Sequence, residues 1–532
     1  MNCILHNAVV CPQYKTPRRP TAIVLSKNKI VALGSDVPSL RREYPKHELI
    51  DVKGRVILPG FVDSHTHFFF WARTFNAVHL ETQTTFAGCL TEIRKNASRL
   101  DKNDWVIGDG WAMDRWDEYH VPTAAELDSV TGGRPAALFS KDQHMLWVNS
   151  KALDMAGITA DTPQPEGGRI EKDPSTGQPT GILKEMPGYF PVIKLISRPQ
   201  PGLVEKNWKL ASQAAYSKGV TGFHSMDGPE GFDFYRQLNE KGKLGFRVHY
   251  YYPVKMLDEL IERGIHSDLG DDTLRIGGVK LFADGSLGAC TAHMIKPYKG
   301  TKDDYGVIVT PLDELKESIG KAARHGLASA VHAIGDKAVE NVVSAFEAAY
   351  TRNSPLRQRI EHMQLIAPKD ISRVKRFGVI GSMQPSHCPA DRKLVAEHWG
   401  KRGRYAYIFK TLLNAGIPLA FGSDGPIEPI DPIAGVSAAV NRTGFGERGG
   451  RFYPEESLTV AQAVYGFTAG PAYAAGREAF SGKIAPGYQA DLAILEDNIF
   501  TMPKSKLHTA RVAATIFDGK IVFRHPESSV SI

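Results

Sequence analysis

The stretch LASAVHAIGDKAVENVVSAFEAAY (Leu327–Tyr350) contains one strand followed by one helix. Its first part, LASAVHAI, is a short apolar run typical of a buried strand, and KAVENVVSAFEAAY (Lys337–Tyr350) has apolar residues at helical spacing. Similar apolar runs alternate with helical stretches along the middle of the chain, at LRIGGVKLF (Leu274–Phe282), GVIGSMQ (Gly378–Gln384) and IPLAFGSD (Ile417–Asp424). This alternation predicts an α/β fold with a parallel sheet or barrel.

Both ends of the chain are rich in strand patterns instead. AIVLSKNKIVALG (Ala22–Gly34) predicts a β-hairpin, and ARVAATIFDGKIVF (Ala510–Phe523) predicts a second one with Asp518-Gly519 as its turn. We therefore expect residues 1–58 and 480–532 to form one composite β domain beside a larger domain at 59–479. Within the larger domain, residues 73–210 are rich in tryptophan and turn residues, which predicts a long insertion after its first strand.

Composition excludes several classes of protein. The 532 residues are 42% hydrophobic and 23% charged, which argues against disorder, collagen and coiled coil. The net charge of +7 is spread over the whole length without a long basic run, so we expect no nucleic-acid partner. The five cysteines form no CxxC pair, and the sequence has neither a secretory-signal pattern nor a long apolar run. We expect a cytoplasmic protein with reduced thiols and no membrane contact.

The segment VILPGFVDSHTH (Val56–His67) ends with two histidines two residues apart. On a strand, His65 and His67 would point to the same face, and neutral imidazoles bind transition metals. A buried histidine pair would explain this segment alone equally well.

Three further residues of metal-ligand type close apolar runs. His332 ends LASAVHAI, His362 lies in RIEHMQLI, and Asp424 ends IPLAFGSD. In a (β/α)₈ barrel the carboxyl ends of the strands converge on one face, where active sites lie. Taken together with His65 and His67, these residues predict a metal site at that face.

Lys280 lies inside the apolar run LRIGGVKLF. Burial would favour its neutral amine, which can add CO₂ to give a bridging carbamate. A lysine that points to solvent or pairs with Asp284 is an equally good interpretation of the sequence.

The chain resembles the amidohydrolase superfamily, in the branch of the N-substituted formamide deformylases (amidohydrolase family 3). The matching segments, in chain order, are LPGFVDSHTH, WVNSKAL, EGGRI with DPSTGQPTGIL, VKLFADGSLGA, VHAIGD, RIEHMQ, FGSDGPIEPIDP and GKIAPGYQADLAIL. The resemblance implies a (β/α)₈ TIM barrel with a composite β-sandwich built from both termini. It also implies two divalent cations held by His65, His67, an N6-carboxylated Lys280, His332, His362 and Asp424. These ligand types accept Zn, Fe, Mn or Ni, and we expect Zn²⁺.

The same resemblance implies a small-molecule substrate and a homodimer. Trp111 and His144 are in positions where the family places its pocket. His224 ends a strand-like run and His387 follows the seventh predicted barrel strand, so we expect both to line the same mouth. An aromatic core in the insertion would account for Trp111 equally well.

The resulting functional hypothesis is hydrolysis of a C–N amide bond in an N-substituted formamide or another N-acyl amine. A metal-activated hydroxide would attack, and Asp424 would shuttle the proton. Alternatives on the same site are hydrolysis of a cyclic amide, a lactone or an ester. A deaminase would leave Lys280 without a role, and a non-catalytic scaffold would not need all six candidate ligands.

Overall fold

A computed structural model describes residues 1–11, 21–75, 77–102, 104–141, 143, 145–166, 168–196, 201–444 and 450–528. The strands are β1 (Asn2–Val10), β2 (Thr21–Ser26), β3 (Lys29–Gly34), β4 (Glu48–Asp51), β5 (Val56–Pro59), β6 (Phe61–Thr66), β7 (Val78–His79), β8 (Val106–Trp111), β9 (Ala136–Ser140), β10 (Met145–Val148), β11 (Arg169–Lys172), β12 (Pro179–Lys184), β13 (Val220–Ser225), β14 (Arg247–Pro253), β15 (Leu274–Phe282), β16 (Ala328–Ala333), β17 (Arg359–His362), β18 (Ile380–Met383), β19 (Leu419–Phe421), β20 (Leu492–Leu495), β21 (Val512–Phe517) and β22 (Lys520–Arg524).

The helices are α1 (Val37–Glu43), α2 (Phe68–Arg73), α3 (Phe86–Ala97), α4 (Ala124–Thr131), α5 (Ser150–Ala156), α6 (Glu185–Ile193), α7 (Pro201–Tyr216), α8 (Pro229–Glu240), α9 (Leu257–Glu262), α10 (Leu312–Arg324), α11 (Asp336–Ala348), α12 (Pro368–Arg376), α13 (His387–Ala390), α14 (Arg392–Leu394), α15 (Phe409–Asn414), α16 (Pro432–Asn441), α17 (Val460–Gly466) and α18 (Ala469–Ala474). Among the residues described, no helix combines the length and the apolar character needed to cross a bilayer.

Eight parallel strands form the central barrel, in the order β6-β13-β14-β15-β16-β17-β18-β19. One or more helices lie between each successive pair of strands from β13 onward. The barrel nearly closes between its first and last strands, where the Asp424 amide donates to the His65 carbonyl at 2.8 Å and Thr66 bridges to Gly425. The predicted (β/α)₈ TIM barrel is therefore confirmed.

A second sheet combines strands from the two parts of the chain that flank the barrel. Its order is β22-β21-β20-β5-β1-β2-β3, with β4 paired to β1. Strand β5 pairs antiparallel with β20, so Val56 lies opposite Leu495 although the two are far apart in sequence. The hairpin β21–β22 turns at Asp518 and Gly519, which both have positive φ, as an Asp-Gly hairpin turn requires. One apolar core underlies strands from both parts of the chain.

Residues Trp71–Leu210 form a compact unit of their own, inserted between β6 and β13. Its six-stranded sheet has the order β11-β12-β10-β9-β8-β7. Helices α3 and α4 bury apolar residues in a core that includes Trp111, Trp116 and Trp147.

Candidate metal centre

His65, His67 and Asp424 meet where the barrel closes. The two histidines lie at the end of β6, and Asp424 follows β19, the neighbouring strand on the other side of the closure. Asp424 Oδ1 lies 3.4 Å from His65 Nε2 and 3.5 Å from His67 Nε2. One nitrogen or oxygen from each residue lies within 4.8 Å of the others, which is close enough for all three to bind one ion.

His332 and His362 extend this cluster from the ends of β16 and β17. The His362 ring centroid lies 4.6 Å from that of His332 and 4.8 Å from that of His65. Its Nδ1 is 4.0 Å from Asp424 Oδ2. The barrel thus brings four histidines and one aspartate to the same end of the sheet.

Two residues of the cluster have a backbone conformation that is uncommon for non-glycine residues. The φ angles are +70° at His362 and +59° at Asp424, in the left-handed region. His362 is the last residue of β17, and Asp424 lies three residues after the end of β19. Backbone conformations of this kind concentrate at functional sites, where the surrounding structure holds them in place.

Lys280 is buried within β15 beside the same cluster. Its strand bulges at Gly277, where the register with β14 shifts, and Gly278 has φ +153°. A Cβ at Gly278 would lie 1.9 Å from the Ala328 carbonyl oxygen, so only glycine allows the neighbouring strand to come this close. No residue that the structure describes hydrogen-bonds Lys280 Nζ.

The environment of Lys280 makes its neutral amine more accessible than that of an exposed lysine. Burial lowers the lysine pKa to about 8, although Glu361 and Asp424 oppose this shift. The alternative ion pair with Asp284 does not form. Asp284 instead accepts hydrogen bonds from the backbone amides of Ile334, Gly335 and His293.

Hydrogen bonds fix the tautomers of two histidines. His65 Nδ1 lies 2.5 Å from Glu361 Oε2, and His332 Nε2 lies 2.9 Å from the Gly285 carbonyl oxygen. Burial, and next the charge of Lys280, lowers the pKa of both imidazoles to about 4. Each ring is therefore neutral at pH 7 and keeps one nitrogen lone pair for a ligand.

A buried ion pair lies below the cluster, and no sequence pattern predicted it. The Arg359 guanidinium donates to both Glu361 oxygens, at 2.5 and 3.1 Å, and also to the Ser64 carbonyl and the Ser382 hydroxyl, both at 2.6 Å. Because Glu361 accepts from His65, this pair orients a candidate ligand. The only sequence signal was two charged residues in the apolar segment RIEHMQLI.

His387 is the predicted pocket residue that the structure places beside the cluster. Its ring is nearly parallel to that of His362, at 13° and a centroid distance of 6.5 Å. Within the described part of the chain, its buried Nε2 has no hydrogen-bond partner. His144, which the sequence also suggested, lies outside the described residues.

Two other pocket expectations need correction. His224 lies inside the barrel, opposite His249, which is the third residue of β14, and its Nδ1 accepts from Arg359 at 2.7 Å. It is 2% exposed and contacts the Arg359–Glu361 pair below the cluster, so the structure gives it a place in the barrel interior. Trp111 is fully buried in the inserted unit, and its indole N–H donates to the Leu138 carbonyl at 2.8 Å. These contacts favour a role in the aromatic core of the insertion over a role in a substrate pocket.

The donor set fits a divalent metal centre. Neutral imidazoles and a carboxylate are the ligands that zinc and other divalent transition metals share. A buried amine without a partner is costly unless another group satisfies it, and a carbamate on Lys280 would do so. The (β/α)₈ barrel with this cluster at the carboxyl ends of its strands has the architecture of a metal-dependent hydrolase.

Comparison with known proteins agrees with this class. Residues 48–523 match the family described as the amidohydrolase family, and the chain belongs to that family. It is 33% identical to the putative amidohydrolase YtcJ of Bacillus subtilis, over 98% of this chain and 99% of that protein. It is 27% identical to the N-substituted formamide deformylase of Arthrobacter pascens, over 95% of each chain.

The fold is also similar to a solved structure, an uncharacterized metal-dependent hydrolase from Pyrococcus furiosus. The TM-score is 0.77 with 29% identity, covering 94% of this chain and all of that one. The protein is therefore a hydrolase of the metal-dependent amidohydrolase family.

Proposed function

We propose that the protein hydrolyses the C–N amide bond of an N-substituted formamide or another N-acyl amine, using two divalent cations, Zn²⁺. The observation that carries the proposal is the buried Lys280 Nζ, which lacks a partner among the described residues and lies in a strand beside the histidine cluster. The similarity to the formamide deformylase along nearly the whole chain supports the substrate class.

Six side chains would hold the ions, namely His65, His67, Lys280, His332, His362 and Asp424. When bound, divalent cations lower the pKa of water and polarise a carbonyl group. For Lys280 to contribute, its neutral amine adds to CO₂, which forms an N–C bond and releases one proton. The product is a carboxylate that can bridge two cations, and it satisfies the buried nitrogen.

Asp424 would move the proton during hydrolysis. Burial alone would raise its pKa, but His65 and the other surrounding histidines hold that pKa well below its usual range. The carboxylate is therefore ionised at neutral pH and can accept a proton from the attacking water. It then donates this proton to the nitrogen of the leaving amine, which departs as a neutral molecule.

His387 would contact the substrate. Its buried Nε2 is free of hydrogen bonds to described residues, and its ring lies beside His362. An imidazole in this place can hydrogen-bond a carbonyl oxygen of an amide and so orient it for attack.

The test is hydrolysis of N-formyl and N-acyl amines by the metal-loaded protein and by Asp424→Asn. We expect the variant to retain its metal and to lose about 10²–10⁴-fold in kcat, because the proton shuttle is removed. The control is Asp431→Asn, which removes a carboxylate charge paired with Lys218, keeps an N-cap residue for α16 and should leave kcat unchanged. Full activity of Asp424→Asn would remove the shuttle role, and activity confined to lactones or esters would overturn the amide proposal.

Carboxylation of Lys280 has a separate test. Protein grown or incubated with carbon-13 bicarbonate should show a carbamate carbon resonance that is missing from Lys280→Met. Metal analysis of the same samples should give fewer equivalents per chain in Lys280→Met than in the wild type, in which the barrel site alone accounts for two. A single equivalent in the active wild type would exclude the binuclear centre and point to a deaminase-like site.

A further inference from the structure

A second group of metal-ligand side chains lies in the inserted unit, on the edge strand β7. His79 is the last residue of β7 and lies opposite Asp109 of β8 in the parallel register. His79 Nδ1 is 2.8 Å from Asp109 Oδ1. Glu81 follows two residues later, and one donor atom from each of the three side chains lies within 4.8 Å of the others.

A glycine in β8 allows the Glu81 carboxylate to approach the His79–Asp109 pair. Gly110 follows Asp109 and has φ +88°. A Cβ at this position would lie 2.8 Å from Glu81 Oε2 and 2.7 Å from the Glu81 amide nitrogen. The carboxylate thus lies directly against the backbone of β8, although Glu81 as a residue is exposed to solvent.

The charges in this cluster do not balance. Two carboxylates lie together with one imidazole, and in the described ranges neither Glu81 nor Asp109 has an ion pair with lysine or arginine. Like charges this close repel each other, so the arrangement gains stability from an added cation. Burial would lower the pKa of His79, but the hydrogen bond with Asp109 and the charges of Asp109 and Glu81 raise it. The same two carboxylates would attract a divalent cation, which would replace the proton on the imidazole.

We infer that His79, Glu81 and Asp109 form a divalent cation site distinct from the ligand set of the barrel. One imidazole and two carboxylates suit Zn²⁺, Co²⁺ or Mn²⁺, with water in the remaining positions. The bound ion would join the two-residue edge strand β7 to β8 and hold that edge of the sheet in register. Its role is structural, and it takes no part in the hydrolysis proposed for the barrel.

The experiment is metal analysis of the loaded enzyme after equilibrium dialysis against micromolar Zn²⁺. The test variant is Glu81→Gln, which removes one ligand at an exposed position and leaves the buried core intact. We expect the wild type to retain one equivalent of Zn²⁺ per chain more than the variant, with equal hydrolase activity. Thermal unfolding should show a Zn²⁺-dependent rise in Tm for the wild type that is absent from Glu81→Gln.

His120→Gln is the matched control. His120 pairs with Glu126 at 2.8 Å in the same unit, but it belongs to no group of three ligand-type side chains among the residues that the structure describes. This variant should keep the extra equivalent of Zn²⁺. Equal Zn²⁺ content in the wild type and Glu81→Gln would overturn the proposal, and so would the loss of the equivalent in His120→Gln.

Discussion

The barrel interior and the core of the inserted unit are both closed to water, yet they are filled in opposite ways. Beneath the histidine cluster, the barrel buries an Arg359–Glu361 ion pair that also contacts His65 and His224. The inserted unit packs Trp111 against Trp116 and Trp147, with ring centroids 6.4 and 6.3 Å apart.

The difference shows what each interior contributes. Burial of large apolar side chains stabilises the inserted unit directly. A buried ion pair adds little net stability, because desolvation offsets most of the attraction between its charges. The barrel interior instead fixes the direction of polar groups, and His65 is held by Glu361 in the tautomer that a metal ligand needs.

The largest effect should come from breaking the ion pair of the barrel. Glu361→Gln leaves the Arg359 charge buried without a counter-charge, which should lower the free energy of unfolding by about 3–5 kcal/mol. It also weakens the acceptor of the His65 Nδ1–H, so metal affinity should fall about 10–100-fold. Urea unfolding measures the stability, and competition with a chelator measures the affinity.

Asp491→Asn is the control, which separates a loss of His65 orientation from a general loss of stability. Arg247 binds Asp491 with two hydrogen bonds, at 2.9 and 3.3 Å, and neither residue contacts the cluster. This variant should be destabilised but keep the metal affinity of the wild type. If both variants lost affinity to the same extent, the Arg359–Glu361 pair would have no specific role at the metal centre.

A smaller effect is expected in the inserted unit. Trp111→Phe removes the indole N–H and leaves the Leu138 carbonyl without its donor, which should cost about 1–3 kcal/mol of stability. Metal affinity and kcat of the folded variant should not change, because Trp111 is a core residue. A changed KM in this variant would instead restore Trp111 as a determinant of substrate binding.

The smallest effect concerns pH. Burial, and next the Arg359 charge, lowers the pKa of His249 to about 3. In the unfolded chain this pKa is about 6.5, so between these values the unfolded state binds more protons and acid destabilises the fold. When the pH falls from 7 to 5.5, the free energy of unfolding of His249→Gln should therefore decrease by about 1 kcal/mol less than that of the wild type. Urea unfolding at both pH values checks this, with the exposed His325→Gln as control; an unchanged pH dependence in His249→Gln would contradict it.

Much of the barrel could be predicted because its signals are local. Several strands lie in short apolar runs, and ligand-type residues such as His332 and Asp424 come at or just after the ends of these runs in the sequence. The composite sheet also has local signals, since hairpin patterns occur at both ends of the chain. The family model and the similarity to known hydrolases confirm the class of protein that these motifs indicated.

The sequence could not show the contacts between distant strands. Glu361 and His65 are 296 residues apart, and no pattern near either residue indicates that they meet. The depth of a side chain within the barrel was equally hidden, because His224 and His387 both occur near the ends of strand-like runs. In the structure, the register of β13 with β14 places His224 in the interior, and the ring contact with His362 places His387 beside the cluster.

The closure between β6 and β19 has a consequence for the order of assembly. His65 and Asp424 come from the first and last strands of the barrel, so their meeting requires every strand between them to be in place. Contacts this distant in sequence form late, because long loops must close first. A chain that stops at a partly folded stage would lack the complete ligand set. Tight retention of metal would therefore report that the barrel has finished folding, which gives a practical assay for correctly folded protein.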